Sequence, residues 1–193
     1  MIELETRAKI KFKVEFVSRD IPKNSNIPKL TKWGKIFHSL GLAPSYDGSF
    51  GNLSSRTLNG FIITATKSKL EQLTPEDFVE IINCDLDGGK VYARGIKNPS
   101  SETLLHCAIY TERRDVGAIL HGHCDKIVNA DYPWLVYTER EAPAGSIDLV
   151  KEVLKVLNNH NFIVLKKHGF ISLGRDIDKA GETVLEVLKK INE

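Results

Sequence analysis

The chain has 193 residues, 41% hydrophobic and 27% charged, a length and balance that fit one globular domain with its own core. A net charge of +2 on dispersed lysines gives no basic stripe, so a nucleic-acid partner is not expected. No apolar stretch reaches membrane-spanning length, and Cys84, Cys107 and Cys124 form no CxxC pair, so neither a membrane partner nor a disulfide framework is expected and a reducing cytoplasm fits best.

Residues 1–193 read as one domain, with residues 1–25 an N-terminal extension carrying a strand. In residues 9–17, Lys9, Lys11 and Lys13 alternate with Ile10, Phe12 and Val14, the period of a half-buried strand. Residues 21–28 read as a loop, and Leu30, Trp33, Phe37 and Leu40 predict an amphipathic helix over 29–41, ending near Gly41. The glycines of 46–51 mark a loop before Asn52-Leu53-Ser54, and Asn59-Gly60 signals a turn into a strand over 61–66. Leu73-Thr74-Pro75-Glu76-Asp77 reads as a cap and short turn. A strand over 78–84 follows, then the Asp87-Gly88-Gly89 turn into Val91-Tyr92-Ala93. Pro99-Ser100-Ser101-Glu102 opens a helix with Leu105, Ile109 and Tyr110 in its core face. Residues 116–120 form an apolar strand running into His121, residues 129–145 are irregular, and 162–165 form a strand running towards His168. Helices are expected over 147–158 and 178–192.

The chemistry concentrates at the ends of two of these strands. His121 and His123 are two apart, so on a strand they share a face, and His168 arrives at the end of a second strand. Three neutral imidazoles with an open fourth position are the ligand set of a catalytic zinc, and the same set suits another divalent transition metal. Cys124 would face away from such a site and reads as packing. Glu102 in the first turn of its helix has two readings, a favourable charge on the helix dipole or a general base beside the metal. Ser100 and Ser101 likewise read as caps or, with free amides at the helix start, as part of an anion site. Further donors come from Ser49-Phe50-Gly51-Asn52-Leu53-Ser54 and Thr64-Ala65-Thr66-Lys67. His106, one turn after Glu102, reads as a supporting or packing residue, and His38 and His160 as surface residues. Glu139 and Glu141 read as a solvated loop.

The ordered series Gly51-Asn52-Leu53-Ser54, Thr64-Ala65-Thr66, Leu73-Thr74-Pro75-Glu76-Asp77, Pro99-Ser100-Ser101-Glu102, His121-Gly122-His123 and Lys167-His168-Gly169 resembles the class II aldolase/adducin family over residues 29–190. The resemblance implies an α/β fold of three layers, α/β/α, around a mostly antiparallel sheet, and a homotetramer. It implies zinc on His121, His123 and His168, with Glu102 as catalytic acid/base and resting-state metal ligand. It places Gly51, Asn52, Thr66, Ser100 and Ser101 around a substrate phosphate. The implied enzyme is an aldehyde-lyase that cleaves a phosphorylated ketose reversibly to dihydroxyacetone phosphate and an aldehyde through a metal-stabilised enediolate. A pentulose-phosphate 4-epimerase, a methylthioribulose-phosphate dehydratase and a non-catalytic adducin-like assembly module are the alternatives on the same scaffold. Lys67 replaces the family's usual glycine. The segment between His123 and His168 is shorter than in the family's best-known aldolase, which leaves Tyr137, Glu139, Glu141 or a neighbouring subunit to supply a second acid. The chain ends 25 residues past His168, so a long substrate-covering tail is not expected.

Overall fold

A computed structural model describes residues 11–193. Its first strand, β1 (Lys13–Ser18), is the later part of the expected 9–17 strand, whose Lys9 and Ile10 lie outside the described residues. Helix α1 (Ile27–Ser39) starts at a proline in its first turn and buries Leu30, Trp33 and Phe37. It stops two residues earlier than expected. Gly41 turns the chain at φ +68°, and Leu40 ends up 46% exposed rather than in the core face.

Two short strands, β2 (Ser45–Tyr46) and β3 (Gly48–Ser49), precede β4 (Gly51–Thr57). Strand β5 (Gly60–Thr64) pairs with β4 from Thr57 opposite Gly60, so the hairpin turns on Leu58-Asn59, one residue before the expected signal. Strands β6 (Phe78–Asp85) and β7 (Lys90–Arg94) follow. Next come α2 (Thr103–Glu112), β8 (Ala118–Gly122) and the four-residue helix α3 (Asp125–Val128). The chain closes with β9 (Val136–Tyr137), α4 (Ile147–Leu157), β10 (Phe162–Leu165), β11 (Gly169–Gly174) and α5 (Ile177–Asn192). Nine strands form one sheet in the order β1-β7-β6-β5-β4-β8-β11-β10-β9. Only the outermost pairs, β1·β7 and β9·β10, are parallel.

Side-chain alternation splits the core in two. On β8, Ile119 packs with Leu105, Ile109 and Val153 of α2 and α4, whereas Ala118 and Leu120 pack with Phe37 of α1 and Val184 of α5. The expected three-layer α/β/α arrangement around a mostly antiparallel sheet is therefore the observed one. Each fully buried Leu, Ile or Phe contributes about 1.5–3 kcal/mol of apolar burial, which makes the two faces the main source of stability.

Strand β11 has no counterpart in the pattern-based reading. It lies between β8 and β10, is buried along its whole length, and so shows no alternation to detect. The two-residue β9 was also hidden, inside a stretch that reads as irregular. Helix α2 starts at Thr103, so Glu102 occupies the capping position just ahead of the helix rather than its first turn.

Candidate metal centre

The three histidines converge where β8 ends. His121 faces the same side of the sheet as Ile119, the side covered by α2. His123 lies one residue beyond β8, and its amide donates to the Leu42 carbonyl at 2.7 Å, which carries the chain onward after the ladder stops. His168 closes the turn between β10 and β11, with its amide on the Leu165 carbonyl at 3.0 Å and Lys167 at φ +56°. Two glycines allow the approach. A side chain on Gly51 would meet the His121 carbonyl at 2.7 Å, and one on Gly169 would meet the Gly122 carbonyl at 2.4 Å.

The ligand nitrogens of His121, His123 and His168 all lie within 4.8 Å of one another. His121 Nε2 and His123 Nε2 are 3.0 Å apart. Nitrogens sharing a tetrahedral zinc at about 2.0–2.1 Å would sit about 3.4 Å apart, so the His121–His123 pair is within a few tenths of an ångström of a ligated spacing. His121 Nδ1 faces the Phe170 carbonyl at 2.8 Å and must donate to it, since a carbonyl only accepts. That bond aims Nε2 at the cluster, the outer-shell arrangement common to metal-bound histidines.

Glu102 is 4% exposed and completes the donor set. Its Oε2 lies 2.9 Å from His121 Nε2 and its Oε1 3.4 Å from His168 Nε2. Asn52 Nδ2 donates to Oε2 at 2.8 Å, while Glu102 Oε1 and Asn52 Oδ1 are buried without a hydrogen-bond partner. Burial opposes the Glu102 charge, but His121 and His168 outweigh it and hold the carboxyl well below its usual range. Burial likewise lowers His121, yet Glu102 and the Phe170 carbonyl raise it above the ordinary histidine value. Burial, reinforced by the neighbouring histidines, holds His123 well below the ordinary value and His168 down to about 4. Two imidazoles kept neutral by burial, a third aimed by the Phe170 carbonyl, a buried carboxylate and orphaned oxygens at one point fit a divalent transition metal.

A polar ladder places Glu102 there, and it escaped the sequence reading. Asn52, Ser54 and Arg56 alternate on β4, and Glu102, His106 and Tyr110 recur every fourth residue along α2. Besides Asn52 on Glu102, Ser54 Oγ bonds His106 Nδ1 at 2.7 Å and the Tyr110 hydroxyl at 2.8 Å. Arg56 donates to the Tyr110 carbonyl at 2.9 Å and lies over the Tyr110 ring. His106 is therefore a buried supporting residue, with burial pushing its pKa down to about 3. Matching a period of two with a period of four is the signal that could have revealed it.

The residues assigned to a phosphate are brought to this neighbourhood, but mostly with their backbone already engaged. Ala65 bridges Pro99, the Thr66 amide donates to the Asn98 carbonyl at 2.9 Å, and the Ser100 amide donates to the Thr64 carbonyl at 3.1 Å. Ser100 Oγ accepts the Glu102 amide at 3.3 Å, a local turn bond two residues ahead of the capping position, and α2 has no side-chain cap. The expected set of free amides at the helix start is thus reduced, because Ser100 spends its amide on β5 and Glu102 and Thr103 spend theirs on Ser100. Asp77 anchors the same segment through the Ser68 hydroxyl at 3.0 Å and its own capping box with Thr74. Lys67 takes φ +62°, a conformation suited to glycine, and its ammonium lies 3.8 Å from Asp47.

The candidate second acids lie in other settings. The Tyr137 hydroxyl donates to the Ala130 carbonyl at 2.9 Å and accepts the Tyr132 amide at 3.0 Å, which commits it to its own loop. Glu139 and Glu141 are exposed, within 3.8 Å of Lys155 and 3.1 Å of Lys167 respectively. Cys124 packs against the core on the α1 and α5 side, as expected of it. His38 and His160 are on the surface. No helix among the described residues is long and apolar enough to cross a membrane.

Comparisons with known proteins converge on one family. The sequence profile of the Class II Aldolase and Adducin N-terminal domain matches residues 29–190. A Methanococcus maripaludis protein named L-fuculose phosphate aldolase is 32% identical over 180 residues, covering 84% of this chain and 95% of its own. A Methanocaldococcus jannaschii protein of the same name is 32% identical over 149 residues, covering 67% of this chain and 75% of its own. Among solved structures, an L-fuculose 1-phosphate aldolase superposes with a TM-score of 0.74 at 23% identity, covering 88% of this chain and 85% of that one. The L-fuculose-1-phosphate aldolase of Thermus thermophilus superposes at 0.61 with 19% identity, covering 85% and 93%.

Proposed function

The chain belongs to the class II aldolase and adducin family, and on that premise we propose that it is a zinc-dependent aldehyde-lyase that reversibly cleaves a phosphorylated ketose to dihydroxyacetone phosphate and an aldehyde. The observation that carries this reading is the buried convergence of His121, His123, His168 and Glu102, with nitrogens within 4.8 Å of one another and a carboxylate oxygen left without a hydrogen-bond partner. A non-catalytic module would have no use for that arrangement, since each buried unpaired polar atom costs about 1–3 kcal/mol.

In this reading His121, His123 and His168 hold the metal, and Glu102 joins them while substrate is absent. When bound, zinc would supply Lewis-acid stabilisation of the negative charge that develops on the ketose oxygens. Glu102 moves the carbon-bound proton: it takes it from the hydroxymethyl carbon of dihydroxyacetone phosphate in condensation and returns it to that carbon in cleavage. Asn52 fixes one carboxylate oxygen and leaves Oε1 for the proton. Gly51, Asn52, Thr66, Ser100 and Ser101 receive the phosphate, chiefly through side-chain groups because the nearby amides are engaged. The described residues act as one domain in this reading, a single sheet carrying both cores.

The test is incubation of metal-loaded protein with dihydroxyacetone phosphate and a panel of aldehydes. Condensation with at least one aldehyde, abolished by a chelator and restored by zinc, is expected. Failure with every aldehyde, by protein shown to carry the metal, would refute the aldolase assignment.

A further inference from the structure

A second reactive cluster lies on α2, away from the histidines. Cys107 of α2 and Cys84 of β6 line a cavity of about 220 Å³ together with Tyr110, Thr111, Arg56 and Arg114. Both thiols are free and partly exposed, and both pack at the border of the core beneath α2 and α4. They stand within hydrogen-bonding reach of each other. The third cysteine, Cys124, packs against the opposite core, so the sheet separates it from this pair.

Proximity, partial exposure and two guanidinium groups on one cavity wall are the conditions under which a thiol becomes an oxidant-sensitive nucleophile. We propose that Cys84 and Cys107 form a reversible thiol–disulfide site that reacts with a peroxide, Cys107 attacking and Cys84 resolving. The assignment of roles follows position: Cys107 has Thr111 one turn on along α2 and lining the same cavity, a hydroxyl that favours the Cys107 thiolate. Donation from Cys84 lowers the Cys107 thiol below its ordinary value, and the same bond, with burial, pushes Cys84 up.

The chemistry balances with hydrogen peroxide as oxidant. The Cys107 thiolate sulfur bonds one peroxide oxygen, the O–O bond breaks, and the departing hydroxide takes up a proton to become water. Cys107 is then a sulfenic acid. Cys84 gives up its proton and bonds the Cys107 sulfur, the S–O bond breaks, and a second water leaves. Two thiols have lost two electrons to the peroxide, and the new bond ties α2, which Glu102 immediately precedes, to β6. This site stands independently of the aldolase reading.

The test uses the full metal-loaded chain treated with stoichiometric hydrogen peroxide, followed by peptide mapping. The expected result is a peptide pair joined through Cys84 and Cys107, lighter by two hydrogen atoms, restored by dithiothreitol and unchanged in Cys124→Ala. Cys84→Ser should accumulate a sulfenic acid at Cys107 that dimedone captures, while Cys107→Ser should give no adduct at Cys84. Both thiols remaining free after peroxide, or a disulfide formed through Cys124 instead, would overturn the proposal. Dimedone capture at Cys84 in Cys107→Ser would overturn the division of roles.

Discussion

Where β8 begins, a cavity of about 320 Å³ is bordered by Lys29, Arg56, Arg175 and Asp176, and where β8 stops, the three histidines meet Glu102. The first end is rich in charge, but its charges are already answered. Lys29 pairs with Asp178 at 2.9 Å, Arg175 lies 3.6 Å from Asp176, and Arg56 donates to the carbonyls of Val116, Tyr110 and Arg113. The second end has little net charge, and its polar groups are buried, close together and incompletely bonded. Clustered unsatisfied polarity marks the chemistry, whereas the lining of the first cavity has only Thr57 Oγ1 in that state, and its space marks where the layers splay apart.

Substitutions at the two ends should therefore separate function from stability. His123→Ala is expected to have the largest effect, with loss of bound metal in elemental analysis and of all metal-dependent turnover. Glu102→Gln should keep the metal and lose turnover by about 10²–10⁴-fold, the usual share of a general acid or base. Normal turnover by this variant would place the proton transfer elsewhere. At the opposite end, Arg56→Ala should cost about 2–3 kcal/mol in denaturant unfolding, because the carbonyls of Val116, Tyr110 and Arg113 each lose a guanidinium hydrogen bond. Its kcat should stay close to wild type. A large fall in kcat with no loss of stability would erase the contrast between the ends.

His106 links the two ends through the ladder and gives the contrast a pH dependence. Its folded pKa is depressed to about 3 by burial, so below the ordinary value of about 6.5 the unfolded chain binds a proton that the folded chain does not. Stability from this group is complete above about pH 6.5 and falls on acidification towards about pH 3, by roughly 1.4 kcal/mol per pH unit. Stability measured against pH should fall less steeply for His106→Gln than for wild type across that window. Equal slopes would show that His106 takes up its proton in the folded state. The smallest effect is expected at Lys67, held at φ +62°. Lys67→Gly should stabilise the fold by about 1 kcal/mol in thermal unfolding by relieving the left-handed backbone, and destabilisation would mean that the lysine side chain contributes more than its backbone costs.

The candidate ligand residues were legible because chemistry constrains residue type: His121-Gly122-His123 and Lys167-His168-Gly169 announce themselves whatever surrounds them. The elements that deliver them were legible only where one face differs from the other. Phe16 and Trp33 follow a clear period, whereas Phe170 and Ser172 on β11 are buried on a strand covered on both faces, and no alternation survives there. The Ser54–His106–Tyr110 network was hidden for a different reason. It joins residues 52 and 56 positions apart, and only the packed layers bring them together. Lys67 looked like a departure from the family's glycine, and the structure shows it in the left-handed conformation that favours glycine.

The central claim is that Glu102 moves a carbon-bound proton beside a metal held by three histidines. Solvent exchange tests it without knowledge of the aldehyde. Metal-loaded protein and dihydroxyacetone phosphate are held in deuterium oxide, and the hydroxymethyl signal is followed by NMR. Wild type should replace one carbon-bound hydrogen with deuterium, and Glu102→Gln with the same metal content should do so about 10²–10⁴-fold more slowly. No exchange by metal-loaded wild type, or exchange at the wild-type rate by Glu102→Gln, would contradict the account.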